Sequence, residues 1–135
     1  MILTLLWVAV IFSFSFQPAD ASSHMSSSVL QKLFAWLLDS MSQEQLDFWH
    51  TVLRKCAHFA EFFILGLLVT TTLLEIKGKL LVLLAIALCV CVASVDETIQ
   101  LFVDGRSGRV VDVLLDSVGS IVGISIRAFL NRNSK

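Results

Sequence analysis

The chain has 135 residues, 56% of them hydrophobic and 16% charged, with a single proline and a mean hydropathy of +0.83. This is too apolar for a soluble domain, and the apolar residues run in long unbroken stretches, so residues 1–135 read as one all-α polytopic membrane bundle. A formal net charge of −1 leaves no clustered basic face of the kind that nucleic acid requires.

Four spans are predicted, at about 2–16, 54–74, 80–102 and 110–130, against the ~20 residues that a membrane-crossing helix needs. The first is short. Its rival reading is a cleaved signal peptide ending at Ala19-Asp20-Ala21, although no Lys or Arg precedes its apolar core. A serine linker follows (Ser22, Ser23, Ser26, Ser27, Ser28), and Val29, Leu30, Leu33, Phe34, Leu37 and Leu38 then recur at helical spacing. That pattern predicts an outer amphipathic segment over about 29–53, lying in the interface. Ser42-Gln43-Glu44-Gln45 has capping-box spacing, so a helix should start at Gln43 and run into the Arg54 span. Trp36, Phe48 and Trp49 fall at headgroup level, where aromatic anchoring is a simpler reading than ligand contact.

Orientation follows from the bases. The turn Glu75-Ile76-Lys77-Gly78-Lys79 and the tail with Arg127, Arg132 and Lys135 share one side, rich in Lys and Arg with a single acid. That side is expected to be cytoplasmic, with both termini inside a multi-pass protein of the cell membrane.

Polar residues gather at the other end of every span. Ser13, Ser15 and Gln17 close the first; Arg54, Lys55, His58 and Glu61 open the second; Asp96, Glu97 and Gln100 close the third; Asp112 and Asp116 open the fourth. Alternating helices bring all four groups to one face. Ionisable side chains there cost roughly 2.5–3.5 kcal/mol each on insertion scales, so a chain that keeps five carboxylates has a use for them. Arg54, His58 and Glu61 share a helix face at i, i+4 and i+7, whereas Asp112 and Asp116 at i and i+4 repel unless another helix supplies a base. Arg54, Lys55, and Arg106 and Arg109 of the turn 104–109 are the available bases. Gly119 and Gly123, with Ser120 adjacent, form a small-xxx-small pair, and Gly66 lies mid-span in the second helix. Close backbone approach is expected there, turning the Asp112–Asp116 face into the bundle.

Single residues have plainer readings. No second histidine lies in any span, so His58 suits an interhelical hydrogen bond better than a metal site. Cys56, Cys89 and Cys91, odd in number, read as reduced packing residues, and Thr70, Thr71 and Thr72 can bond back to their own helix.

The strings Arg54-Lys55-Cys56-Ala57-His58-Phe59-Ala60-Glu61-Phe62-Phe63, Asp96-Glu97-Thr98-Ile99-Gln100-Leu101-Phe102, Gly105-Arg106-Ser107-Gly108 and Asp112-Val113-Leu114-Leu115-Asp116-Ser117-Val118-Gly119 closely resemble the VanZ-like family. Ser15-Phe16-Gln17-Pro18 resembles its first-span ending, so the likeness covers nearly the whole chain. It implies a small bacterial integral membrane protein, of a family named for a member associated with low-level teicoplanin resistance, and no established reaction.

Three functions then compete. The first is a non-enzymatic outer-leaflet pocket that binds the headgroup of a lipid or amphiphile, formed from Gln17, Arg54, Lys55, His58, Glu61, Asp96, Glu97, Gln100, Arg106, Arg109, Asp112 and Asp116. Its partners would be membrane lipids and a cell-wall lipid precursor or lipoglycopeptide, with no cofactor and no metal assigned. The second is an intramembrane enzyme, with Glu61 or Asp116 as general base and His58 as acid, or with His58, Glu61, Asp96 and Asp112 holding a divalent metal. The third is a polar network that only locks the bundle.

Overall fold

The computed structural model describes residues 1–18, 27–29, 32, 41–74 and 79–133. Their long elements are four helices, α1 (Ile2–Ser15), α2 (Gln43–Thr72), α3 (Lys79–Gln100) and α4 (Val110–Asn133), and no strand occurs among the described residues. The serine linker at 19–26, residues 30–31 and 33–40 of the expected amphipathic segment including Trp36, the turn at 75–78 and the tail at 134–135 lie outside the described residues.

Each boundary has a local cause. Ser42 and Gln45 form a reciprocal capping box: the Ser42 amide donates to Gln45 Oε1 (2.9 Å) and the Gln45 amide to Ser42 Oγ (3.4 Å), satisfying two of the first-turn donors. α2 accordingly begins at Gln43 and continues through the Arg54 segment without a break. α3 stops at Gln100, two residues short of the expected Phe102, because the chain tightens there, with Leu101 and Phe102 donating to the carbonyls of Thr98 and Ile99. Gly105 then turns with φ 73°, in the left-handed region that glycine enters without strain.

Two segments, Leu80–Gln100 and Val110–Asn131, are long and apolar enough to cross a membrane. The other two expected spans do not pass that test. α1 is apolar but only 14 residues long, about 21 Å against a hydrocarbon core of about 30 Å. α2 is long, at 30 residues, but its first half is polar.

The helices run up, down, up, down. α2 packs chiefly against α4, and α1 lies against α2 and α3. Ile11, Phe62, Leu65, Val69, Ala85, Cys89, Ala93 and Ile124 form the buried core, while Leu83, Leu84, Leu88, Val118, Ile121 and Ile126 point outward. The chain thus exposes leucine and isoleucine while it buries Ser15, Thr70, Asp96, Glu97, Gln100, Asp116 and Ser120. Thr4 Oγ1 meets Thr72 Oγ1 at 2.8 Å, and Trp7 Nε1 donates to the Glu61 carbonyl at 2.9 Å, fixing α1 antiparallel to α2. Thr70, Thr71 and Thr72 bond back to Gly66, Leu67 and Leu68, as their position predicted, and Thr71 also accepts from Arg127 Nε.

Glycine decides how closely α2 and α4 approach. A Cβ on Gly119 would lie 2.6 Å from the Phe59 carbonyl oxygen, and Cβ atoms on Gly66 and Gly123 would strike the carbonyls of Ser120 and Phe63. All three obstacles are backbone, so a side chain could be accepted only by moving a helix. Gly66→Ala and Gly123→Ala are each expected to destabilise the bundle by about 1–3 kcal/mol, read as earlier unfolding in detergent.

Candidate functional site

Helix alternation brings the C-terminal ends of α1 and α3, the Arg54–Glu61 part of α2 and the start of α4 to one end of the bundle, as the sequence implied. A cavity of about 240 Å³ opens there. It is lined by Arg54, Lys55 and His58 from α2, Glu97 and Gln100 from α3, Arg106 and Arg109 from the turn, and Asp112 from α4, with Thr51, Gly105, Ser107 and Leu115 completing the wall.

The acids of this outer tier are answered. Lys55 Nζ donates to Asp112 Oδ1 in an ion pair across α2 and α4, which offsets the like-charge spacing of Asp112 and Asp116. Glu97 Oε2 accepts from the Arg109 amide at 2.8 Å, and Glu97 Oε1 accepts from Gln100 Nε2 at 3.3 Å. Arg109 is the residue whose carbonyl accepts the first helical bonds of α4, so Glu97 caps a helix N-terminus, where the macrodipole favours an anion. Gly108 permits this docking, since a Cβ there would run into the Glu97 carbonyl and the Leu101 side chain.

The bases are less fully answered. Arg106 Nε is buried and makes no hydrogen bond among the described residues. Burial pushes the Arg106 guanidinium below its ordinary pKa and Arg54 adds to the effect, against the pull of Asp96, Glu61 and Glu97. It remains a cation, because arginine titrates far above any working pH.

Deeper lies a second tier. Asp96 and Asp116 have no exposed surface. Asp96 Oδ1 accepts from Ser15 Oγ at 2.5 Å and Oδ2 from Gln100 Nε2 at 3.0 Å. Asp116 accepts nothing at either oxygen among the described residues. Its facing basic side chain is His58, whose Nδ1 stands 4.0 Å from Asp116 Oδ1 and also lacks a hydrogen bond among the described residues. One ligand atom from each of His58, Asp96 and Asp116 falls within 4.8 Å of the others. The metal set considered from sequence had Glu61 and Asp112 in place of Asp116; Asp112 is engaged by Lys55 instead.

A sequence model of the VanZ/LLP1 family matches residues 1–131. The chain belongs to the VanZ/LLP1 family. No curated protein and no solved structure matches it.

In this VanZ/LLP1 chain the motif residues therefore divide into a cation-rich rim and an acid-rich interior, a division that linear spacing does not reveal. The sequence places Ser15 in the polar ending of the first span and points to Gln17 as the site residue there. Ser15 is buried on Asp96, whereas Gln17 is half-buried and its amide bonds to the Phe14 carbonyl. Residue 15 lies one turn beyond Ile11 on the core-facing side of α1, and that register was the available signal. Ser15→Ala is expected to cost about 1–2 kcal/mol by stripping Asp96 of a donor. Gln17→Ala should stay within about 0.5 kcal/mol. Thermal unfolding in detergent compares the two.

Proposed function

We propose that the chain is a multi-pass protein of the bacterial cell membrane that holds the anionic headgroup of a lipid or amphiphile in the polar pocket at its outer face. The observation that carries this reading is the surplus of guanidinium in the pocket wall. Lys55 is spent on Asp112, and Glu97 is spent on the Arg109 amide and Gln100. Arg54, Arg106 and Arg109 remain around one cavity, with Arg106 Nε buried and unbonded among the described residues. A planar guanidinium is matched by phosphate or carboxylate through paired, charge-assisted hydrogen bonds. At about 240 Å³ the cavity is smaller than the ~300–1,000 Å³ of sites that enclose a drug-sized ligand. It suits a headgroup, leaving acyl chains or a bulky ring system outside.

The outward-facing Leu, Ile and Val side chains of α3 and α4 favour lipid as the surrounding medium. The short α1 is consistent with this, since it ends where Ser15 meets Asp96 at the floor of the polar end. Orientation rests on the excess of Lys and Arg at the other end. Impermeant thiol labelling of a cysteine-free background should mark Asp104→Cys and Ser26→Cys in intact cells, and mark Gly78→Cys and a cysteine at Lys135 only after lysis. Labelling of Gly78→Cys alone in intact cells would reverse the topology.

The binding itself is tested with the full chain in nanodiscs, titrated with phosphatidylglycerol or phosphatidylcholine. Preference for the anionic lipid is expected, with Arg54→Ala and Arg106→Ala each weakening it by roughly tenfold, about 1.4 kcal/mol. Equal binding of both lipids, unchanged in either variant, would return the pocket to a structural role. From the family resemblance we infer in addition that expression raises teicoplanin tolerance in a susceptible host. Glu61→Gln and Arg106→Ala proteins should accumulate normally and lose that tolerance.

A further inference from the structure

We propose that His58, Asp96 and Asp116 form a binding site for one divalent transition-metal cation on the bundle side of His58, separate from the arginine rim that would hold a headgroup. Geometry is the first support. One ligand atom from each residue lies within 4.8 Å of the others. The 4.0 Å between His58 Nδ1 and Asp116 Oδ1 is too long for a hydrogen bond. It falls within the spacing of two ligands on a shared ion, about 3.4 Å in a tetrahedral shell and about 4.2 Å for ligands in trans at metal–ligand bonds near 2.1 Å.

Orphaned polar atoms are the second, independent support. Asp116 is fully buried, and neither of its oxygens nor His58 Nδ1 has a hydrogen-bond partner among the described residues. An unpaired buried carboxylate is among the most costly groups a fold can contain, and such groups ordinarily sit against an opposite charge or a metal. Lys55, the lysine that lines the adjacent cavity, is taken by Asp112. A divalent ion would balance Asp96 and Asp116 together and leave the imidazole neutral, giving a complex of no net charge inside an apolar bundle.

The surroundings also fit. Ser15 and Gln100 each donate to one oxygen of Asp96, which orients that carboxylate while leaving further lone pairs on both oxygens. Metal-ligating carboxylates are held by outer hydrogen bonds of this kind. One imidazole nitrogen with carboxylate oxygens selects borderline cations such as Zn²⁺, Co²⁺, Mn²⁺ or Fe²⁺ over soft Cu⁺. His58 lines the cavity, so the three ligands lie next to the outer pocket.

The test uses Co²⁺ alone on the full chain in detergent micelles, read by visible absorption and by metal content after gel filtration, with Zn²⁺ as competitor. About one Co²⁺ per chain is expected, displaced by Zn²⁺ and bound more than about a hundredfold more weakly by Asp116→Asn, the loss of a ligand exceeding the 10–100-fold typical of an outer partner. His58→Gln should lose the same affinity, and it decides the question if Asp116→Asn does not accumulate. Arg106→Ala separates this site from the headgroup reading, because it should lose phosphatidylglycerol preference without lowering Co²⁺ affinity. Absence of saturable binding by the parent chain, or parental affinity in whichever of the two ligand variants accumulates, would overturn the proposal.

Discussion

Two aspartates taken wholly out of solvent, Asp96 and Asp116, set the constraint to which the rest of the molecule answers. A carboxylate in an apolar interior costs several kcal/mol unless donors or opposite charge surround it. Asp96 is met by donors from two directions, Ser15 on α1 and Gln100 one turn along its own helix. The first contact also gives the short α1 a polar anchor at its end. Asp116 has the His58 imidazole facing it instead, Nδ1 standing 4.0 Å from Oδ1, on a helix that Gly119 and Gly123 let lie directly on the carbonyls of α2.

Neighbouring acids of the same motifs meet different fates, and position relative to the helix ends explains why. Glu97 and Asp112 stand at the mouth of the bundle, where a helix N-terminus and the flexible ammonium of Lys55 are within reach. Asp96 and Asp116 lie fully buried on the same two helices, where the side chains facing them are Ser15, Gln100 and His58. The result is a gradient along the pocket axis, positive at the rim and negative below. The anion and the cation proposed for this site would therefore draw on different ligands.

The sequence made the helices legible, and the end of the bundle at which the polar groups gather. Hydrophobic run length located α3 and α4 to within a few residues, the Ser42 capping box located the start of α2, and the glycine spacing of α4 identified its packing face. These are properties of one segment at a time. The pairing of charges was not legible, because it depends on the rotation of each helix about its axis and on the path of the 101–109 turn. Spacing alone could not show that Lys55 rather than Arg54 reaches Asp112, that Glu97 caps α4, or that Ser15 rather than Gln17 reaches Asp96. A column of residues at i and i+4 defines a face, and only the neighbouring helix defines what that face meets.

The distribution of unsatisfied groups bears on whether this network merely locks the helices together. A lock gains nothing from incomplete members, since a half-satisfied buried network is worse than an apolar one of the same shape. The hydroxyls of Thr70, Ser117 and Ser120 are all bonded to carbonyls of their own helix, and Asp96 is bonded twice. The buried side-chain atoms without partners among the described residues belong to His58, Arg106 and Asp116. His58 and Arg106 line the cavity, and Asp116 faces His58. Among the described residues, the unsatisfied buried side-chain atoms therefore gather at the polar end of the bundle. His58, Arg106 and Asp116 are the groups that the proposed headgroup and cation would complete.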